Sequence, residues 1–245
     1  MTTNGHAGAA TGRTQKTSER IAFEIVHDII RAGLSAGDKL PSEPEMVERY
    51  GTSRASLREA VRILEVQGLM RLRPGPGGGT TLGSVDASNL ARTAALYFQL
   101  SGATYAQLLD VQLLLEPGCA AAAARHPDRV DALAPFLIMT DGIDEPEYRL
   151  ETEHFHDVVY RLADNSVLSL CAKAINHLVT TQVLSTMDPV VLRRTILREH
   201  VRLAKTLIAG DAERSARLMR SHFAKQHDHY RTNHPSRLRE IIQWR

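Results

Sequence analysis

At 245 residues and 43% hydrophobic, the chain is long enough to bury the core of one large domain or of two smaller ones. A net charge of only +2 gives whole-chain basicity no part in any argument for a nucleic-acid partner. Two cysteines, Cys119 and Cys171, make no disulfide framework and suggest buried free thiols in a cytoplasmic setting, and no run approaches the ~18 apolar residues of a membrane helix.

The first stretch, MTTNGHAGAATGRTQK, is small, polar and weakly basic. It predicts a disordered tail over 1–16, not a signal peptide, with Arg13 and Lys16 as a faint basic arm. A first helix follows over 17–33: Thr17 suits an N-cap, and Ile21, Ile25, Ile29 and Ile30 recur at helical spacing. Gly33 and Gly37 bound a turn. In PSEPEM, Ser42 and Glu45 form the capping-box pattern of a short helix over 43–50. Gly51 ends that helix, and a third runs from near Ser53 to Gly68.

Two helices joined by a tight turn at Gly51, behind one longer helix, make a helix-turn-helix arrangement. The third helix has distinct faces. Leu57, Val61 and Leu64, with Ala60, form an apolar stripe, whereas Arg54, Arg58 and Arg62 form a separate cationic one. Glu59 and Glu65 are in reach of Arg62, but neither lies on the Arg54/Arg58 edge, which favours DNA contact by those two residues.

The run RLRPGPGGGTTL, residues 71–82, is too poor in lysine for a nucleotide-binding loop. A Walker loop needs Gly-Lys-Ser/Thr before a helix, and the third glycine of a dinucleotide fingerprint would fall at Thr80. Strand-like LMRLR and TTL around the glycines instead read as the hairpin of a winged helix. GSVDAS (83–88) is a linker. Beyond it the pattern is helical over 89–101, 105–125, 129–140, 145–163, 167–185, 189–209 and 211–231, with a short piece near 236–244. The predicted fold is mainly α: an N-terminal winged helix-turn-helix with a small β-hairpin wing over 17–82, then an all-α antiparallel helical bundle over 89–235 and a tail over 236–245.

KLPSEPEMVERYGTSRASLREAVRILEVQGLMRLRPGPGGGTTL (39–82) resembles the winged helix of the GntR family of bacterial transcription regulators. LLDVQLLLEPGCAAAAA (108–124), ETEHFHDVVYRLADNSVL (151–168) and REHVRLAKTLIAGDAERSARLMRSHF (198–223) resemble the helical FCD domain of the FadR subfamily, in its seven-helix form. The resemblance implies a cytoplasmic, ligand-responsive regulator, a repressor in the first instance. It would bind a palindromic operator in double-stranded DNA as a homodimer, with a small-molecule effector inside the bundle changing DNA affinity.

Within that resemblance, Arg54 and Arg58 match base-contacting positions, and an Arg donates bidentately to guanine at about 1–3 kcal/mol of discrimination. Ser53 and Ser56 match phosphate contacts. Arg73, with Arg71, supplies charge to the wing, where Gly75 and Gly77 approach the minor groove. The family's usual Arg after PSE is Pro44 here, which donates nothing and shifts readout toward Arg54 and the wing.

His156, His200 and His222 match the family's metal ligands, one on each of three helices. The usual fourth ligand, an Asp, is Thr152 here, and Glu153 lies on the same helical face as His156. Three neutral imidazoles suit zinc, with nickel or manganese as alternatives, and leave a position for water or effector. The resemblance places the effector pocket near Gln112, Asp110 and Asn176. Gln112 replaces an Arg that clamps carboxylates in relatives, which points to a less acidic, more apolar effector; Leu96, Leu100, Leu108 and Leu115 could line it or belong to core or dimer interface. Two other readings are a metal-dependent hydrolase built on the three histidines and an interaction module that uses its winged helix for protein contact.

Overall fold

The computed structural model describes residues 7–73, 78–84, 86–138, 144–184 and 190–244, and the chain divides into two compact units, Met1–Asn89 and Leu90–Arg245. In the first unit, helix α1 (Ala7–Ala32) is followed by α2 (Glu43–Arg49) and α3 (Arg54–Val66). The hairpin strands β1 (Met70–Arg73) and β2 (Gly79–Leu82) come next. The strands pair antiparallel with Met70 opposite Leu82 and Arg73 opposite Gly79, and Lys39 adds a bridge to Thr81.

The core of this unit follows the predicted stripes. Ile21 and Ile25 of α1 pack with Met46 of α2, with Leu57, Ala60 and Leu64 of α3, and with Met70 of the wing. Ile30 does not join them: it is 72% exposed, because it is one residue off the stripe that Ile29 continues. Ser42 starts α2 as expected, its backbone N–H donating to Glu45 at 2.7 Å. Gly51 takes φ 55°, a left-handed conformation that glycine adopts without Cβ strain, and so the turn into α3 is tight.

Two expectations for this unit need correction. Thr17 is not an N-cap, since α1 begins at Ala7 and residues 7–16 of the expected disordered tail are helical. Alanines at 7, 9 and 10 supply good helix formers there, enough for the helix to extend N-terminally from its packed half. The side chain of Arg13 lies outside the described part, and Lys16 is exposed.

The second unit contains α4 (Ala87–Leu100, which begins just before it), α5 (Tyr105–Ala123), α6 (Arg129–Leu133), α7 (Glu145–Leu162), α8 (Ser166–Leu178), α9 (Arg193–Ile208), α10 (Ala212–Asn233) and the short α11 (Pro235–Leu238). A π-helical stretch, Val179–Leu184, prolongs α8. Helix α5 is central, packing on α7, α8 and α10. It buries one broad face that includes Tyr105, Leu109, Gln112, Glu116, Cys119 and Ala123, and its alanines permit close approach. The main core joins Cys119, Ala120 and Ala123 to Phe155, Val159 and Leu162 of α7, Leu203 and Leu207 of α9, and Met219 and Phe223 of α10.

The C-terminal segment is not a loose tail. Ile242 is buried and donates its N–H to Ala103 at 2.9 Å, Tyr105 N–H donates to Glu240, and the Arg237 guanidinium lies 4.9 Å from the centre of the Tyr105 ring. Cys171 also departs from expectation: it is exposed, while Cys119 is buried, because α8 turns position 171 outward. No helix among the described residues is long and apolar enough to cross a membrane.

Candidate recognition helix and candidate metal centre

Ser53 caps α3, its Oγ accepting the N–H of Ser56 at 3.1 Å. Cap and turn present the first turn of α3, where Arg54 is exposed. Ser56 departs from the phosphate-contact expectation in the free chain: it is 8% exposed, and its hydroxyl meets Ser53 Oγ at 3.0 Å, so the helix cap occupies it. Arg58 is exposed yet not unpartnered. Its Nε and Nη2 donate to the two carboxylate oxygens of Glu43 at 3.0 and 3.3 Å, a fork geometry that fixes the guanidinium plane. Intrahelical spacing gave no hint of this, since Glu43 comes from α2. In the wing, Arg71 and Arg73 are exposed on β1; Gly75 and Gly77 lie outside the described residues.

In the helical unit, α7, α9 and α10 bring His156, His200 and His222 together. One ring nitrogen of each lies within 4.8 Å of the others, and all three residues are buried. Among the described residues no carboxylate oxygen joins that group, so Glu153 is not brought in; it is exposed, whereas Thr152 has a buried Oγ1 without a hydrogen-bond partner. His156 Nδ1 and both ring nitrogens of His200 are likewise buried and unpartnered. Orphaned nitrogens of this kind cost about 1–3 kcal/mol each unless something binds them, and a divalent metal accepts the lone pairs on offer. The donor set therefore fits a zinc-like ion held by three neutral imidazoles.

The surroundings keep two of those imidazoles, His156 and His200, neutral. Burial, then the neighbouring His222, holds His156 well below the usual histidine range. His200 is depressed by burial and by the other two rings, and it stacks on Phe155 at 4.2 Å between ring centres. His222 is oriented from both sides: Glu199 Oε2 lies 2.9 Å from its Nδ1 and Gln226 Nε2 lies 2.9 Å from its Nε2. Burial pushes the Glu199 carboxyl up, but hydrogen bonds from His222 and Lys225 outweigh it and hold the group low.

Beside His156 opens a cavity of about 460 Å³, lined among others by Gln112, Arg149, Thr152, Asn176, Phe223 and His227. Gln112 and Asn176 are both among its lining residues. Gln112 Nε2 donates to Asn176 Oδ1 at 2.9 Å, and its Oε1 lies 2.9 Å from His227 Nε2. Burial, aided by Arg231, pushes His227 down to about 3, so the ring is neutral and donates to Gln112. Asp110 is corrected: it is exposed on the opposite face of α5, paired with Arg231 at 2.8 Å. Leu96, Leu100, Leu108 and Leu115 do not line the cavity, and Leu108 is core.

Sequence reasoning missed several residues here. Arg149 brings a cation to the cavity wall that position 112 does not supply. His227 was one of eleven histidines with no spacing to mark it. Glu116, inside the apolar run LLLEPG, is fully buried behind His156; burial raises its carboxyl to about 8 against the pull of a hydrogen bond from Tyr160. A glutamate inside an otherwise apolar helix stretch was the available signal.

Comparison with known proteins agrees with both units. Residues 17–80 match the bacterial regulatory proteins of the gntR family, and residues 107–225 match the FCD domain, together about three quarters of the chain. The chain is 29% identical over 169 residues to the uncharacterized HTH-type transcriptional regulator Rv0494 of Mycobacterium tuberculosis, covering 66% of this chain and 68% of that one. It is 26% identical over 205 residues to the HTH-type transcriptional regulator LutR of Bacillus subtilis, covering 80% and 92%. The solved structure of Streptococcus agalactiae GntR has a TM-score of 0.65 at 22% identity, covering 86% of this chain and 99% of that one, a likeness of fold.

Proposed function

Because this chain belongs to the gntR family of bacterial regulatory proteins and carries an FCD effector-binding domain, we propose that it binds a palindromic operator as a homodimer and represses transcription, in the cytoplasm, until a small metabolite enters the helical unit. Relatives of this kind are transcriptional regulators, not enzymes, and the hydrolase alternative falls with that. The observation that carries the reading is the pairing, in one chain, of an exposed Arg54/Arg58 edge on α3 with a cavity that borders a buried histidine cluster.

In this reading Arg54 and Arg58 read base edges, Ser53 and the wing's Arg73 meet phosphates, and Gly75 and Gly77 let the wing backbone near the minor groove. His156, His200 and His222 hold zinc, nickel or manganese, with Thr152 beside them in place of a charged ligand. The metal supplies a cationic anchor for an oxygen of the effector. Gln112, Asn176 and His227 offer neutral polar contacts to the rest of the molecule, and Phe223 with Val179 and Ile196 an apolar wall. With the Arg149 guanidinium also on its wall, such a lining suits an effector with one polar or anionic head and an apolar body.

The test is titration of the full-length protein onto the promoter duplex upstream of its own operon, followed by fluorescence anisotropy. Tight, salt-sensitive binding that Arg54→Ala weakens about tenfold or more is expected. A folded dimer that retards no promoter DNA even at low salt would sink the proposal.

A further inference from the structure

We propose that Glu116 is the positioning residue of the histidine cluster: in the metal-loaded protein, where the nearby cation favours the ionised acid, its carboxylate accepts the Nδ1–H of His156 and so fixes the tautomer that leaves Nε2 free to bind the metal ion. This rests on the reading that the cluster binds a divalent metal.

Three observations converge on Glu116. Its side chain, from α5, is 0% exposed; one carboxylate oxygen accepts the hydroxyl of Tyr160, while Oε2 has no partner. The nitrogen facing that orphan oxygen is His156 Nδ1, 3.8 Å away, itself buried and without a hydrogen-bond partner. A small rotation of either side chain closes that gap to a hydrogen bond of about 2.8 Å. Two orphans aimed at each other in a packed core relieve both desolvation costs by pairing.

His222 already has this arrangement, with Glu199 Oε2 2.9 Å from its Nδ1 and its Nε2 turned to Gln226. Carboxylates from α5 and α9 thus stand behind histidines of α7 and α10. A histidine that gives Nδ1–H to a carboxylate presents a more basic Nε2, and loss of such a partner typically costs 10–100-fold in metal affinity. Thr152 gives this site no carboxylate on the α7 face, which leaves orientation and basicity of the imidazoles to the residues behind them.

Glu116→Gln tests the idea with almost no change of shape. The amide oxygen still accepts the Tyr160 hydroxyl, but its NH2 then faces His156 Nδ1 and demands the opposite tautomer. Competition with a chromophoric chelator should show zinc bound 10–100-fold more weakly than by wild type. Tyr160→Phe, which frees Glu116 without removing it, should cost much less. Equal zinc affinity of the folded Gln variant and wild type overturns the role of Glu116 alone; failure of wild type to take up zinc overturns the metal reading beneath it. Should the Gln variant not fold, long-range proton–nitrogen NMR of the zinc-loaded wild type decides the matter. An Nδ1–H signal at His156 is expected, and an Nε2–H signal overturns the proposal.

Discussion

The guanidinium of Arg58 is held in a two-point grip by the carboxylate of Glu43, with Nε–Oε1 at 3.0 Å and Nη2–Oε2 at 3.3 Å. The pair joins the helix that precedes the turn to the helix that follows it. Both partners keep access to solvent, so the bond contributes less than about 1 kcal/mol to folding. Its consequence is directional: Arg58 is aimed before it meets a ligand.

Glu43→Gln should therefore leave stability almost unchanged and alter DNA recognition. If the Arg54/Arg58 edge reads DNA as proposed, removing a carboxylate from it raises affinity for non-specific duplex, while the freed Arg58 discriminates less well. The ratio of operator to scrambled-duplex affinity is expected to fall severalfold, measured by anisotropy at several salt concentrations. An unchanged ratio would show that Glu43 does not position Arg58.

Gly83 sits where β2 leaves the wing, and a Cβ there would lie 2.2 Å from the carbonyl oxygen of Gly68. Backbone cannot step aside as a flexible side chain does. Gly83→Ala should destabilise the N-terminal unit by about 1–3 kcal/mol and leave metal binding by the helical unit intact. Thermal melts of the full chain, read beside zinc titration, check both halves of that statement.

Gln112 satisfies two partners at once, the half-buried Asn176 and the buried His227. Gln112→Leu keeps the volume near that of the native side chain but strips both hydrogen bonds. The expected cost is about 1–3 kcal/mol for the helical unit, together with loss of effector response. A variant as stable as wild type in denaturant titration would mean that water takes over the two bonds.

Buried titratable groups give the metal-free protein a stability profile with two limbs. His227 is pushed to about 3, so between its unfolded value of about 6.5 and that point the unfolded chain binds more protons. Stability is complete above pH 6.5 and is lost as the pH falls toward 3, with His156 and His200 acting in the same direction. Glu116 acts oppositely: with its carboxyl raised to about 8, the contribution is complete below about 4.5 and is lost as the pH rises to 8.

The optimum should lie near pH 6.5, with each group contributing a slope of up to about 1.4 kcal/mol per pH unit. Glu116→Gln should flatten the limb between 6.5 and 8 and keep the acid limb. Melting temperatures in a chelating buffer across that range provide the check. A wild-type profile already flat from 6.5 to 8 counts against an ionising Glu116 in the core.

By itself the sequence determined what depends on neighbours within a turn or two of helix. Ser42 with Glu45, the start of α3 near Ser53, Gly51 in the turn, and the Leu57, Ala60 and Leu64 stripe were all readable, because caps and periodicity are local properties of the chain. The three histidines were found through resemblance, since their spacing carries no metal motif. Tertiary structure alone decided what stands behind and between those residues. Glu43 reaches Arg58 across 15 positions, and His227 reaches Gln112 across 115; Glu116 and His156 meet only because α5 packs on α7. Asp110 illustrates the same limit from the other side: two residues from Gln112, it points away from the cavity because consecutive positions on a helix diverge by about 100° each. Which face of a helix is inside is set by the partners it packs against, and those partners are distant in the chain.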